Sequence, residues 1–537
     1  MNPFLSTLLE GAWPGLLAAG LMLVVLPWSR PEGRVRILIL GFAGLLSLRY
    51  AYWRLTATLP PMEETANFLA GSTFFAIEFA AIVGSLLSLI TLTRTQNRSI
   101  ESDRMAGWIR RQDPLPTVDL FICTYNEERE ILERTIIGAM AIDYPNKRVW
   151  VLDDGRRPWL RELSGDLGCN YLDRPDNSHA KAGNINNALA HVAKLEAPPD
   201  FISILDADFV PTKNFLWRTL ALFHEDDVGI VQTPQHFVNP DPIQANLLVA
   251  DSWPDEQRYF FDVVMPAKDG WGTAFCCGTS SVLRAEALYG IGGFPTTSVT
   301  EDYLVTLSML RNGFRTVYLN ERLSLGLAPE GLKEYVTQRS RWCLGFIQIF
   351  RSNTGPFGRN NGLRLLDRLA LIESFLYWSA SYLFRLAGFI IPILYLLFDI
   401  HAVDVALVEG ISYFLPYYIA HIAVIAWLSE RRILPVMTDL SQLLAAREVL
   451  SAVFIGLIKP KGHKFKVTAK GGDRSKIFVQ WRMMSMFLTL LVATLLSILY
   501  AFTFDADRTL QDSSVVALFW SWYNCAVLIM AVLVCIE

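Results

Sequence analysis

Long apolar stretches stand on both sides of one charged block. This alternation limits the chain to a membrane protein with an extramembrane domain inserted between its spans. The stretches fall at roughly 12–28, 36–53 and 67–93 before the block, and at roughly 370–398, 411–428, 484–504 and 514–536 after it, seven in all. Hydrophobic residues make up 52% of the 537 and charged residues 19%, and the charges gather between about residue 95 and residue 370. The N-terminal MNPFLSTLLEGAWPG has no basic run ahead of its apolar residues and is expected to be retained rather than cleaved.

Arginine and lysine in the short loops set the expected orientation. Arg30, Arg34 and Arg36 place the first loop in the cytoplasm, while Glu63 and Glu64 place the next outside. Arg94 and Arg98 hold the charged block inside, Asp399, Asp404 and Glu409 mark an external loop, and Arg431 and Arg432 an internal one. The N-terminus is therefore expected in the periplasm. Segments 334–352 and 436–458 mix apolar and charged residues and read as amphipathic helices at the cytoplasmic interface. The expected divisions are 1–95 with three spans, a cytoplasmic domain over 96–333, interface helices over 334–369, and 370–537 with four spans, an interface helix and a basic loop at 459–476. Net charge is −4, without the clustered basic face that nucleic acid needs. The 7 cysteines form no CxxC pair and read as reduced thiols, with no disulfide framework or zinc site.

Inside the block, VDLFICTY, RVWVLDD, FISILDAD and VGIVQTPQ have the length and composition of strands. Helical patterns follow the first (EREILERTIIGAM) and lie between the second and third (AGNINNALAHVAKL). This order predicts a parallel sheet covered on both faces, with ligands beyond the carboxyl ends of its strands. Asp153 and Asp154 end one strand, and Asp206 and Asp208 another.

Each motif admits a functional and a plainer reading. Asp206 and Asp208 can share a divalent ion, Mg2+ or Mn2+, that would neutralise a diphosphate leaving group; a solvated turn uses the same residues. Asp153 and Asp154 can take hydrogen bonds from a base or ribose edge, or can simply end a strand. Lys181, in His179-Ala180-Lys181-Ala182-Gly183-Asn184, opens a helix where a diphosphate would lie; an exposed lysine at a helix start fits as well. Thr300-Glu301-Asp302 reads either as a helix cap with first-turn acids or as a site where Asp302 is the general base for an acceptor hydroxyl. Gln338, Arg341 and Trp342 share one helix face. Trp can stack on a sugar, Gln can bond its hydroxyls and Arg can hold phosphate, although Trp and Arg also anchor helices at membrane interfaces. Phe465-Lys466-Val467-Thr468-Ala469-Lys470 lies in a basic loop that equally serves as a positive-inside flank.

The order DD, DxD, TED, QxxRW and then FxVTxK between membrane helices resembles the processive family-2 glycosyltransferases. In particular it resembles the bacterial cellulose synthase catalytic subunit and its curdlan synthase relatives, over roughly residues 35–537. The resemblance implies an α/β GT-A-type glycosyltransferase domain inserted in an α-helical transmembrane bundle of about seven spans with amphipathic interface helices. It implies processive, inverting polymerisation of glucose from UDP-glucose, with the β-glucan translocated across the inner membrane. Position by position, Thr124, Tyr125 and Glu127 of CTYNEE, with Asp153 or Asp154, look like the uridine contacts. His179 and Lys181 look like the donor-side HxKAGN element, Asp206 and Asp208 like the diphosphate and metal ligands, and Asp302 like the catalytic base. Gln338, Arg341 and Trp342 resemble the pyrophosphate and acceptor motif; Cys277, Gly278 and Thr279 in FCCGT, with Glu301, fall at the acceptor end. Phe465, Val467, Thr468 and Lys470 look like the gating loop that closes over UDP.

Three spans before the domain, Cys276 in place of a second Phe, and Cys343-Leu344 after QxxRW look more like curdlan synthases, so the expected linkage leans to β-1,3 over β-1,4 or mixed. Rival readings are a hyaluronan- or chitin-like synthase, a non-processive lipid-linked transferase and a pure transporter. Aromatic residues from Phe375 to Phe384, with Arg385 beside them, offer sugar-stacking surfaces within a span. The expected partners are UDP-glucose, the nascent β-glucan, membrane lipid and a periplasmic export subunit. Cyclic di-GMP is expected only with a PilZ domain beyond this chain, and nucleic acid not at all.

Overall fold

The computed structural model describes residues 13–403, 405–430, 433–463, 477–504 and 512–537. Its strands are β1 (Val118–Thr124), β2 (Lys147–Asp153), β3 (Asn170–Asp173), β4 (Phe201–Asp206), β5 (Val210–Pro211), β6 (Val228–Gln232), β7 (Ser281–Arg284), β8 (Arg315–Tyr318) and β9 (Ser324–Leu325). Seven of them form one sheet in the order β3-β2-β1-β4-β7-β6-β8, and β5 pairs with β9. The principal helices are α1 (Trp13–Val25), α2 (Gly33–Ala57), α3 (Thr65–Leu92), α4 (Arg129–Met140), α5 (Pro158–Asp166), α6 (Ala180–Val192) and α7 (Glu301–Arg311). They continue with α8 (Leu332–Arg351), α9 (Leu365–Leu376), α10 (Tyr382–Phe398), α11 (Leu407–Leu428), α12 (Pro435–Ile458), α13 (Trp481–Phe504) and α14 (Asp512–Val534).

β1 is buried at every position, because its side chains alternate between two apolar layers. Leu120 and Ile122 join the layer with α4 and α5, while Phe121 and Cys123 join the layer with α6 and α7. Helices thus cover both faces, as the sequence predicts. The sheet itself is mixed rather than wholly parallel. β1 runs parallel to β2 and β4, but β7 runs antiparallel to β4 and β6. The cause is the long excursion after β6, which leaves at the carboxyl end of the sheet and re-enters from that same end. Ser281, the first residue of β7, pairs with Ile204 of β4 and Gln232 of β6. The FCCGT segment just before it is thereby set beside the end of β4.

Among the described residues, seven helices are long and apolar enough to cross a membrane: α2, α3, the continuous 365–398 helix formed by α9 and α10, and α11 to α14. Two stretches bear on the sequence expectation. Among the described residues, the stretch 12–28 gives a short apolar helix, whose α-helical part runs to Val25 and is followed by a 3-10 turn containing Pro27. Segment 436–458, expected as an amphipathic interface helix, has the length and composition of a span as α12. Its acidic residue Asp439 is turned inward, ion-paired with Arg385 and accepting a 2.5 Å hydrogen bond from Tyr523. Helix α8 is also largely enclosed. One apolar cluster runs from Leu304 and Leu307 of α7 through Tyr335 and Phe346 of α8 to Leu440 of α12, Phe487 of α13 and Val527 of α14.

Phe121→Ala, which empties a fully buried position under α6, should cost about 3–5 kcal/mol and lower the thermal midpoint of the purified protein by several degrees. An unchanged midpoint would contradict the packing described.

Candidate active site

Three strands end together. Thr124 pairs with Asp153 across β1 and β2, and Cys123 pairs with Asp206 across β1 and β4. Beyond these ends the chain turns sharply, and the side chains there hold one another. Glu127 accepts from the Thr124 hydroxyl at 2.6 Å and from the Tyr125 amide at 2.8 Å. Arg157 ties this turn to the next. It donates to the Thr124 hydroxyl at 2.6 Å, to the Glu127 carbonyl at 2.8 Å and to the Asp153 carboxylate at 2.9 Å. Asp153 is fully buried and also accepts from the Gly155 amide and the Tyr171 hydroxyl. Asp154 is gripped on both oxygens by Arg174, at 2.6 and 2.8 Å. Both acids of the DD motif therefore build the wall of the site, while Tyr125 stands exposed on its rim.

Arg174 also donates to the carbonyls of Ser178 and Ala180, at 2.7 and 2.9 Å, and so fixes the approach to α6. His179 takes the left-handed conformation there, with φ of 61°, and is exposed. This kink turns the first turn of α6 so that Lys181 faces the end of β4. Its ammonium is ion-paired with Asp206 and donates to the Gly278 carbonyl at 2.6 Å. Burial works against the charge, but the Asp206 carboxylate holds the Lys181 pKa well above its usual value.

The Gly278 segment is rigidly placed. Gln232 accepts from the Cys277 amide at 2.8 Å and donates to the Thr279 carbonyl at 2.8 Å. The Asp206 amide in turn donates to the Thr279 hydroxyl at 2.9 Å. Gly278 has φ of +88°, and a methyl group there would lie 2.7 Å from an Asp302 carboxylate oxygen. Glycine is required both for that conformation and for the close approach. Burial raises the pKa of Asp302, and the Tyr303 amide, Lys181 and Arg341 oppose the rise. Glu301, more deeply buried, is raised by burial and then by Asp302. Burial lowers the Arg341 guanidinium, against the charges of Glu301, Asp302 and Asp206. Lys181, Arg341, Asp206, Glu301 and Asp302 thus form one charge cluster, and Asp208, two residues past Asp206, is buried.

Thr300 precedes α7 but makes no side-chain cap, so the capping alternative for the TED segment is not realised. Its side chain instead rests against Gly345 of α8. Of the QxxRW residues, Gln338 is buried and accepts from Arg339 at 3.1 Å. Trp342 is half-buried, with the Arg339 guanidinium 5.6 Å from its ring centre. Arg339 is itself ion-paired with Glu256. Phe465, Val467, Thr468 and Lys470 lie outside the described residues. Sequence reasoning missed Arg157, Arg174 and Gln232. Their only signal was proximity to an acid pair or a strand end.

The Asp206 and Asp208 carboxylates, with Asp302 in electrostatic reach of Asp206, are oxygen donors of the kind that suits Mg2+ or Mn2+. Among the described residues, the group of three that brings its ligand atoms within 4.8 Å of one another is Glu101, His224 and Glu225. It lies at the opposite edge of the sheet, and its carboxylates are taken by Arg98 and Arg315.

Acids at the ends of a doubly covered sheet, beside helices α7 and α8 that share an apolar core with membrane-length helices, are the setting of a membrane-embedded glycosyltransferase. Residues 116–345 match the model described as glycosyltransferase like family 2, and residues 291–504 match that of cellulose synthase. The chain is 34% identical over 529 residues to the cellulose synthase catalytic subunit [UDP-forming] of Pseudomonas fluorescens (strain SBW25), covering 97% of this chain and 70% of that one. The chain belongs to the cellulose synthase family. It is 35% identical over 449 residues to cellulose synthase 1 of Komagataeibacter xylinus, which it covers for only 28% of that protein's length. Among solved structures, the mannosyltransferase PcManGT from Pyrobaculum calidifontis, in complex with GDP-Man and Mn2+, matches with a TM-score of 0.47 at 16% identity, over 72% of this chain and 100% of that one.

Gly278→Ala should lower turnover by about 100-fold by displacing Asp302, since an ångström of misplacement costs that much; turnover within a few-fold of wild type would refute the contact. Arg174→Met should destabilise the protein by about 3–5 kcal/mol by stranding the buried Asp154 carboxylate. Adding Asp154→Asn should restore most of that loss in a thermal denaturation series.

Proposed function

We propose that this protein is a processive, inverting glucan synthase of the bacterial inner membrane, using UDP-glucose and passing its product into the helical bundle. The observation that carries this reading is the convergence of Lys181, Arg341, Asp206 and Asp302 around Gly278, against the helix α8 that packs into the bundle core.

In this reading the turn held by Arg157 receives the uridine, with Tyr125 as its exposed ring. Lys181 and Arg341 take the charge of the diphosphate, and their pre-set positions mean little reorganisation as that charge grows. Asp206 and Asp208 would hold the divalent ion, which when bound would supply positive charge to the diphosphate. Asp302 accepts the proton of the acceptor hydroxyl; its raised pKa suits a general base. That oxygen bonds to the anomeric carbon from the face opposite the departing phosphate oxygen, so an α-linked donor yields a β-linkage and UDP leaves. Gln338 and Trp342 present the acceptor.

The polymer's route is supported by aromatic pairs that follow the site toward the spans. Phe350 stacks on Phe375 at 4.3 Å and Trp378 on Tyr382 at 6.1 Å. The catalytic domain is cytoplasmic and the product leaves toward the periplasm, in accord with the arginine-rich loops. On linkage, the lean toward β-1,3 drawn from three N-terminal spans, Cys276 and Cys343-Leu344 finds no support: the relatives bear the name cellulose synthase. We therefore favour β-1,4.

Asp302→Asn should abolish glucose transfer while UDP-glucose binding, measured calorimetrically, stays within about twofold. Polymer made at a normal rate by that variant would exclude Asp302 as the base. Wild-type product should be long, digested by a β-1,4-glucanase and resistant to a β-1,3-glucanase; a single glucose per acceptor would favour the non-processive rival.

A further inference from the structure

Two chain segments that matter for the reaction meet on one side chain that has no place in the sequence motifs. The first is the loop Ser298–Thr300 that feeds Glu301 and Asp302 into α7. The second is the exit of α12 at Lys459 and Pro460. Gln348, seven residues after Arg341 on α8, is buried between them. Its carbonyl oxygen accepts from the Val299 amide at 2.9 Å, and its amide nitrogen donates to the Pro460 carbonyl at 2.8 Å. Only one orientation of the side-chain amide satisfies an N–H on one side and a C=O on the other, so the two bonds fix each other.

Neither segment holds its own position. α7 has no side-chain cap, and the loop before it is fastened to α8 instead: Ser298 donates to the Gly345 carbonyl at 3.0 Å, and Thr300 sits where Gly345 leaves room. The end of α12 is likewise laid on α8. Arg351 donates to the Leu457 carbonyl, and a methyl on Gly456 would meet Ile347 at 2.7 Å. Among the described residues, Gln348 is the one side chain hydrogen-bonded to both segments.

We infer that Gln348 is a positioning residue for the acid pair, setting the entrance to α7 against the end of α12 so that Asp302 stands at its distance from Gly278. Val299 lies only two residues from Glu301 and three from Asp302. Slack at Val299 therefore reaches the carboxylate nearly undiminished. Donor binding depends on the strand ends, Lys181 and Arg341, none of which is bonded to Gln348, Val299 or Pro460, and is untouched by this linkage. The inference rests on the function proposed above, in which Asp302 takes the acceptor proton.

The test uses the full-length protein in lipid nanodiscs, supplied with UDP-glucose and Mg2+, with UDP release, UDP binding and thermal midpoint measured together. Gln348→Leu removes both bonds. Its kcat should fall at least tenfold, while the KM for UDP-glucose and the affinity for UDP stay within twofold. Gln348→Glu keeps an acceptor for Val299 but offers Pro460 no donor, and should fall between Leu and wild type. A Gln348→Leu enzyme with kcat within twofold of wild type overturns the inference, as does a loss expressed as weaker UDP binding. If Gln348→Leu does not fold, Gln348→Glu carries the same criterion, with a kcat equal to wild type overturning it. A wild-type protein that releases no UDP from UDP-glucose would instead sink the functional reading, and the inference with it.

Discussion

A lysine ammonium held between the Asp206 carboxylate and the Gly278 carbonyl fastens three remote parts of the chain to one another: the start of α6, the end of β4 and the turn before β7. Across Gly278 lies Asp302, and beyond it Arg341 from α8. Packing charges this closely costs desolvation, and a buried ion pair seldom repays that cost in stability. The cluster is better understood as a polar cavity prepared for charge that arrives with a substrate. In the proposed reading, the two cations take a diphosphate, and the carboxylates a metal ion and a hydroxyl proton.

The fold makes that meeting unavoidable. An all-parallel sheet would have carried the segment after β6 back across a helix and away from the strand ends. Here the chain stays at the carboxyl edge, forms the FCCGT turn, and only then descends antiparallel as β7. Gln232, the last residue of β6, clamps the turn through its side-chain amide. The same economy joins the domain to the bundle. α8 carries Arg341 and Trp342 toward the site while its other residues share a core with α12, α13 and α14. A separate linker would let the two halves drift, whereas the shared core fixes one against the other.

Much of this was legible beforehand. The spacing of Asp206 and Asp208 at a strand end, the position of Lys181 in the first turn of a helix, and the order of the acidic motifs all depend on local pattern, which a sequence displays directly. What was not legible depends on contacts between distant segments. Arg157 and Arg174 look like ordinary surface arginines until the turns they lash together are seen. Thr300 has the residue type of a helix cap, yet its side chain lies against Gly345 rather than on α7, because α8 passes close by. Segment 436–458 gives no sign that Asp439 is turned inward, because its partners Arg385 and Tyr523 are 54 and 84 residues away. The reversal of β7 leaves no mark in a strand-length run of residues.

The central claim is that donor diphosphate and acceptor hydroxyl meet at the Lys181, Arg341 and Asp302 cluster, directly beneath the bundle. A cryo-electron microscopy structure of the protein with UDP, Mg2+ and a short glucan would test it most directly. The account predicts the diphosphate between Lys181 and Arg341, and the glucan terminus at Trp342 with its hydroxyl facing Asp302. A nucleotide bound away from the ends of β1, β2 and β4, or a glucan bound outside the helices, would contradict it.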